Sequence, residues 1–155
     1  MGWTPLLWAA AHGNVDMVRT LVENGAQLLK PRKDGVTILH IAACENDVRM
    51  LDYVCKAKTT KSIDLPMNDG CTPAHQASSR GSFDALNFLI EHGSDLCKRN
   101  DLLHTCFDEI IMQDNLDLLE CVYQYSRNLK RNYKDAGHFQ MIHNAAGTQS
   151  GSKCL

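Results

Sequence analysis

A chain that repeats itself every 33 to 35 residues is restricted to an array of like units, because each unit is too small to bury its own apolar face. Three stretches align here: "GWTPLLWAAAHGNVDMVRTLVENGAQL" from residue 2, "GVTILHIAACENDVRMLDYVCKAK" from residue 35 and "GCTPAHQASSRGSFDALNFLIEHGSDL" from residue 70. Thr4, Thr37 and Thr72 fall into line at spacings of 33 and 35. Each copy has a short alanine-rich apolar segment, a polar turn (Gly13-Asn14, Asn46-Asp47, Gly81-Ser82) and a longer segment with apolar residues at helical spacing, such as Val15, Val18, Leu21 and Val22. The spacing predicts two helices per copy. Gly25 and Gly93 are placed to close the second helix, and Asp34-Gly35 and Asp69-Gly70 mark the turns that open the next copy.

The layout resembles the ankyrin repeat family. The family's T-P-L-H stands as Thr4-Pro5-Leu6-Leu7, Thr37-Ile38-Leu39-His40 and Thr72-Pro73-Ala74-His75, followed by small residues at Ala9-Ala10, Ala42-Ala43 and Ala77-Ser78. "LVENGA" at 21–26 and "LIEHGSD" at 89–95 look like the family's helix ending. Extending the register by 33 puts Thr105-Cys106-Phe107-Asp108 where the tetrapeptide belongs and "LDLLECVYQY" at 116–125 where the second helix belongs. "QMIHNAAG" at 140–147 has the features of one further first helix. The resemblance implies an all-α helix-turn-helix solenoid of about four full repeats (2–34, 35–69, 70–102, 103–137), a partial fifth (138–147) and a polar tail (148–155). An array cut within repeats at both ends is expected to be a piece of a longer array or multidomain protein.

"LLHTCFDEII" at 102–111 gathers a thiol, an imidazole and two carboxylates, the ingredients of nucleophilic or metal chemistry. The register argues otherwise. Cys106 starts a helix while His104 stands at a turn tip, so the two are not expected to meet, and Phe107, Ile110 and Ile111 are expected to face neighbouring helices. His40, His75 and His143 occupy the family's structural histidine position, and no histidine or cysteine pair has zinc spacing. Phosphate-binding and nucleophile-elbow motifs are absent, so no enzyme activity and no cofactor are expected.

The 7 cysteines are odd in number and contain no CxxC pair, which suits a reducing compartment. The N-terminus carries neither a secretory signal nor a membrane span, and a cytoplasmic or nuclear setting is expected. A net charge of -2 and few clustered aromatics argue against nucleic-acid binding. Twelve of the 16 Lys and Arg residues nevertheless fall after second helices, at 30, 32, 33, 56, 58, 61, 98, 99, 127, 130, 131 and 134. Stacking would align them into a basic band open to an anionic surface or acidic peptide, or simply leave them solvated among interspersed aspartates.

The resemblance implies a partner protein held by the turn tips and the exposed face of the first helices. Carried over by register, the tip residues are Trp3, Val36, Cys71 and His104, flanked by Lys33, Asp34, Asn68, Asp69 and Asp101. The helix-face residues are Ala11, His12, Cys44, Glu45, Ser79, Arg80, Met112 and Gln113, with Trp8 at the edge. Trp3 is the expected anchor, or else the contact for a preceding repeat. The function expected is a non-catalytic scaffold for another protein. The rival is a regulatory or substrate-recruiting segment of a larger enzyme or channel.

Overall fold

A computed structural model describes residues 2–57 and 63–128. The expected partial fifth repeat and polar tail lie outside the described residues. The described chain contains helices and no strand, in four successive pairs: α1 (Pro5–Ala11) with α2 (Val15–Glu23), α3 (Ile38–Cys44) with α4 (Val48–Ala57), α5 (Pro73–Arg80) with α6 (Phe83–Glu91), and α7 (Cys106–Met112) with α8 (Leu116–Asn128). The first helices pack in sequence, α1 on α3 on α5 on α7, and the second helices form a parallel layer, α2 on α4 on α6 on α8. The chain is thus an all-α solenoid. Its core runs between the two layers through Leu7, Leu39, Met50, Leu51, Leu86, Leu89 and Ile110, all fully buried.

Each first helix is only 7 or 8 residues long, too short to persist alone. Its start is fixed by a threonine in extended conformation. Thr4 accepts from the Leu7 amide at 3.3 Å and Thr105 from the Asp108 amide at 3.4 Å. Pro5 and Pro73 occupy the first helical position, where the missing amide has no intrahelical role. Between the paired helices one residue takes a left-handed conformation in every copy: Gly13, Asn46, Gly81 and Asp114, with φ of 65°, 55°, 70° and 52°. Asparagine and aspartate tolerate this region better than other residues with a Cβ. Asn14, Asp47 and Asn115 then cap α2, α4 and α8 by accepting amides at 2.9, 3.0 and 3.0 Å.

Histidine joins one copy to the next. His40 accepts the Thr37 amide on Nδ1 at 3.2 Å, which leaves the proton on Nε2 to donate to the Cys71 carbonyl at 3.2 Å. His75 repeats the arrangement with the Thr72 amide at 3.2 Å and the His104 carbonyl at 3.1 Å. In the fourth copy Asp108 holds the Thr105 amide and hydroxyl at 2.7 Å each, so the cap survives. A carboxylate has no ring N–H with which to reach a following copy.

The turn tips are linked as well. The Asn68 amide donates to the Asp34 carbonyl at 3.0 Å, and the Asp101 amide to the Asp69 carbonyl at 2.9 Å. Such approach requires glycine: a Cβ on Gly35, at φ 88°, would lie 2.6 Å from the Asn68 nitrogen. In the fourth tip the same position is Leu103, at φ 63°. The long second connector is tied to the third by Asp64, which accepts from the Ser94 hydroxyl at 2.5 Å and the Asp95 amide at 3.0 Å.

Three expectations change. Lys56 belongs to the last turn of α4, where it pairs with Asp52 at 2.7 Å, rather than to a connector. Arg127 likewise lies within α8, which runs on to Asn128. Ile111 is 45% exposed, whereas Phe107 and Ile110 are buried as expected.

Burial holds the His40 pKa down to about 4 from its ordinary 6.5, against the smaller opposing effect of the Cys71 carbonyl. Between those two values the unfolded chain binds a proton that the folded chain refuses, so stability falls as pH drops through the window, by about 3 kcal/mol in full. Denaturant unfolding of wild type and His40→Gln from pH 7 to pH 4.5 is expected to show a shallower loss in the variant; equal slopes would contradict this. Gly35→Ala is expected to cost about 3 kcal/mol, combining left-handed strain with backbone overlap, and Gly25→Ala, whose Cβ would meet nothing within 4 Å, about 1 kcal/mol.

Candidate functional site

Each copy leads from a turn tip directly into its first helix, so the tips stand at the N-terminal ends of α1, α3, α5 and α7. The tip residues before each threonine are Trp3, Val36, Cys71 and His104; Trp3 is exposed and the other three half-buried. A second strip lies at the opposite ends of the same helices. Ala11, Cys44, Ser79 and Met112 are their last or next-to-last residues, and His12, Glu45, Arg80 and Gln113 follow one position on. No residue of the expected set is buried, although Ala11, Asp34, Val36, Cys44, Cys71, Ser79 and His104 are only partly exposed. About one helix length, roughly 10 Å, separates the two strips.

The structure brings the first-copy members together. Trp3 and Trp8 pack with ring centroids 5.0 Å apart, Trp8 and His12 lie at 5.8 Å, and the Arg32 guanidinium lies over the Trp3 ring at 4.9 Å from its centroid. Arg32 is itself held in a close ion pair by Asp34. That hydrogen-bonded pairing draws the Asp34 carboxyl down to about 2, against partial desolvation, and raises the Arg32 pKa. The outcome is an exposed four-member stack, Arg32–Trp3–Trp8–His12, fixed at one end by a carboxylate. Sequence reasoning missed Arg32, since an arginine in a connector gives no sign of the ring it will cover.

Other members of the set hold the scaffold. Asn68 donates its side-chain amide to the Lys33 carbonyl at 2.9 Å, and Asp69 accepts the Cys71 amide at 3.0 Å. Asn100, absent from the expected set, is buried and organises the fourth tip, accepting the Leu102 and His104 amides at 3.0 Å each and donating to Glu109 at 3.3 Å. Leu102 and Leu103 beside it are 72% and 66% exposed. A middle strip between tips and helix ends also escaped notice: Ile41, Gln76 and Glu109 stand in the register of Trp8. The signal was available, because Trp8 had already marked that position.

The reactive-looking cluster separates. Cys106 is fully buried, which pushes its thiol up and disfavours the thiolate a nucleophile needs. His104 faces Glu109, its Nδ1 3.5 Å from the carboxylate. Among the described residues no group of three or more His, Cys, Asp or Glu could hold a metal ion, and no helix is long and apolar enough to cross a membrane. Two of the connector cations are held in ion pairs, Arg32 with Asp34 and Lys98 with Asp64.

Residues 1–32 match the family described as ankyrin repeat, and residues 27–100 the family described as ankyrin repeats in three copies. The chain belongs to the ankyrin repeat family. The matches stop before α7, where aspartate replaces histidine and leucine the tip glycine, yet the fourth helix pair still forms. Among curated relatives, the nuclear factor NF-kappa-B p105 subunit of Gallus gallus is 28% identical over 121 residues, covering 77% of this chain and 12% of that protein. The B-cell lymphoma 3 protein homolog of Mus musculus is 26% identical over 152 residues, covering 93% of this chain and 32% of that protein. The NAD-dependent deacetylase sir2B of Dictyostelium discoideum is 26% identical over 119 residues, 76% of this ankyrin chain but 15% of that protein. The chain therefore spans a third or less of the length of these relatives. Ankyrin repeats serve in general as protein-interaction modules.

Arg32→Ala is expected to uncover one face of Trp3 and raise acrylamide quenching of the indole emission, while shifting unfolding by no more than about 1 kcal/mol because the pair is exposed. Unchanged quenching would mean that the guanidinium does not shield the ring in solution.

Proposed function

We propose that this ankyrin array is a non-catalytic scaffold that holds a partner protein between its tip strip and its helix-end strip. The exposed Arg32–Trp3–Trp8–His12 stack carries the reading. Aromatic and arginine side chains are the residues that most often dominate protein–protein contacts, and rings already packed on one another lose little side-chain freedom on binding. Val36, Cys71 and His104 extend the tip strip from Trp3. Glu45, Arg80 and Gln113 give the helix-end strip charges of both signs, which suits a partner's polar rim better than a uniformly charged polymer.

A second reading is favoured by one observation. The relatives are far longer than the region they share with this chain, and one of them is named as a deacetylase. On that reading the array is the recruiting segment of a larger enzyme or channel, and the same face presents a substrate or regulator to it.

The test is affinity capture from the native source with wild type and the Trp3→Ala, Arg80→Ala double variant. The double variant should lose captured partners by tenfold or more, the effect of about 1.4 kcal/mol or greater. Its thermal midpoint should stay close to wild type, because neither side chain is buried. An unaltered affinity for a specific, saturable partner would remove this face from the proposal.

A further inference from the structure

The fourth turn tip keeps the backbone of the earlier tips and changes its side chains. Its amide of Asn100 donates to the His104 carbonyl at 3.0 Å and that of Leu103 to the Asn100 carbonyl at 2.8 Å, just as Met67 donates to Cys71 and Gly70 to Met67. Where the other tips carry Asp34-Gly35 and Asp69-Gly70, this one carries Leu102-Leu103. The exchange brings the fold no burial. Both leucines are largely exposed, and Leu103 takes the left-handed conformation that an L-residue adopts at a cost. Strained residues cluster at functional sites, and exposed apolar groups in contact mark interaction surfaces. The pair is presented rigidly, because buried Asn100 accepts the Leu102 and His104 amides. Two exposed carboxylates flank it: Asp101, adjacent in the chain, and Asp69, whose carbonyl takes the Asp101 amide at 2.9 Å.

The complement is present on the same chain. Where the backbone leaves α2, Val22, Ala26, Leu28, Leu29 and Pro31 line an open depression of about 630 Å³, with Lys30 exposed among them. Its wall is apolar and its rim cationic. Among the described residues neither Asp101 nor Lys30 is held in an ion pair. We propose that the Leu102–Leu103 knob of one molecule enters this depression on a second molecule of the same chain, with Asp101 set against Lys30.

Within one molecule the knob and the depression are two repeat units apart, roughly 20 Å at the usual spacing of packed helices, so a rigid stack keeps them from meeting. The contact is therefore between molecules. Knob and depression are different surfaces, so each dimer retains one of each at its ends and association grows head to tail. Two side chains bury little area, which makes the contact weak and dependent on concentration. A lipid surface is the poorer match, because anionic headgroups would meet Asp69 and Asp101.

Sedimentation equilibrium of the purified chain tests the proposal. The weight-average mass should rise by about half or more between about 10 µM and about 500 µM. The Leu102→Ser, Leu103→Gly double variant and, separately, Leu29→Glu should each stay monomeric over that range. Mixed one to one, the two variants should form a dimer and nothing larger, since each supplies the half that the other lacks. Lys30→Glu should weaken association about threefold or more, and adding Asp101→Lys should restore it. Leu103→Gly should unfold at the wild-type temperature or above, because glycine enters the left-handed region freely. A wild-type chain that is monomeric throughout, association untouched by the double variant, or a mixture that stays monomeric overturns the proposal. So does a Leu103→Gly midpoint several degrees lower, which would place the work of that side chain inside the fold. A monomeric chain that loses a different bound protein on Leu102→Ser overturns it in favour of a foreign pocket. None of these results depends on whether Trp3 and Arg80 bind a partner.

Discussion

The second and third copies are each tied to the copy that follows by a histidine that serves two copies at once. Its Nδ1 takes the amide of its own threonine, fixing where a seven-residue helix begins, and that hydrogen bond leaves Nε2 as the donor to the next turn tip. Local capping and long-range stacking therefore use the same ring. The arrangement works only if the imidazole is neutral in one tautomer, and burial of His40 secures that by disfavouring the charged form. A short helix that would not persist alone is stabilised by the copy that follows it, which is the nearest-neighbour behaviour expected of a solenoid. An aspartate supplies the acceptor but no ring N–H: Asp108 keeps the cap.

The tip geometry imposes a parallel constraint. Gly35 and Gly70 allow each tip to touch the next, and the approach is so close that a single methyl group would overlap a backbone nitrogen at Gly35. Leu103 adopts the same left-handed conformation, which costs an L-residue about 1 kcal/mol or more, and is 66% exposed. The fourth copy thus has neither the histidine nor the tip glycine. Its tip is tied to the third copy by the Asp101 amide and the His75 ring, and Asn100 adds local support by accepting the Leu102 and His104 amides and reaching Glu109.

The helix-turn-helix order, the capping threonines and the left-handed turns were legible because they rest on local rules: a hydroxyl before a short apolar run, a glycine or asparagine between two periods, an alanine pair where helices approach. Even "LLHTCFDEII" yielded to register, since one threonine fixed its place in the helix. Side-chain pairings across copies were not legible. Ser82 looks like the cap of α6, but its hydroxyl donates to the Cys44 carbonyl at 3.0 Å, and Asn46 from the preceding copy accepts the Ala85 amide at 2.8 Å instead. Arg32 over Trp3 is of the same kind, joining residues 29 positions apart. No local pattern encodes such a contact, because it exists only after stacking has set the distance between copies.

This division bears on how specificity is built into the array. Residues that declare the fold, such as Thr37, His40, Leu39 and Ala42, are buried and unavailable to a partner. Residues free to meet one sit at tips and helix ends, where the scaffold asks only that the backbone keep its path. The demands overlap at a few places. Asp34 orders Arg32 and lends its carbonyl to Asn68; Trp8 stacks on Trp3 and borders the open end of the array. At such positions a substitution changes the exposed face and the packing together.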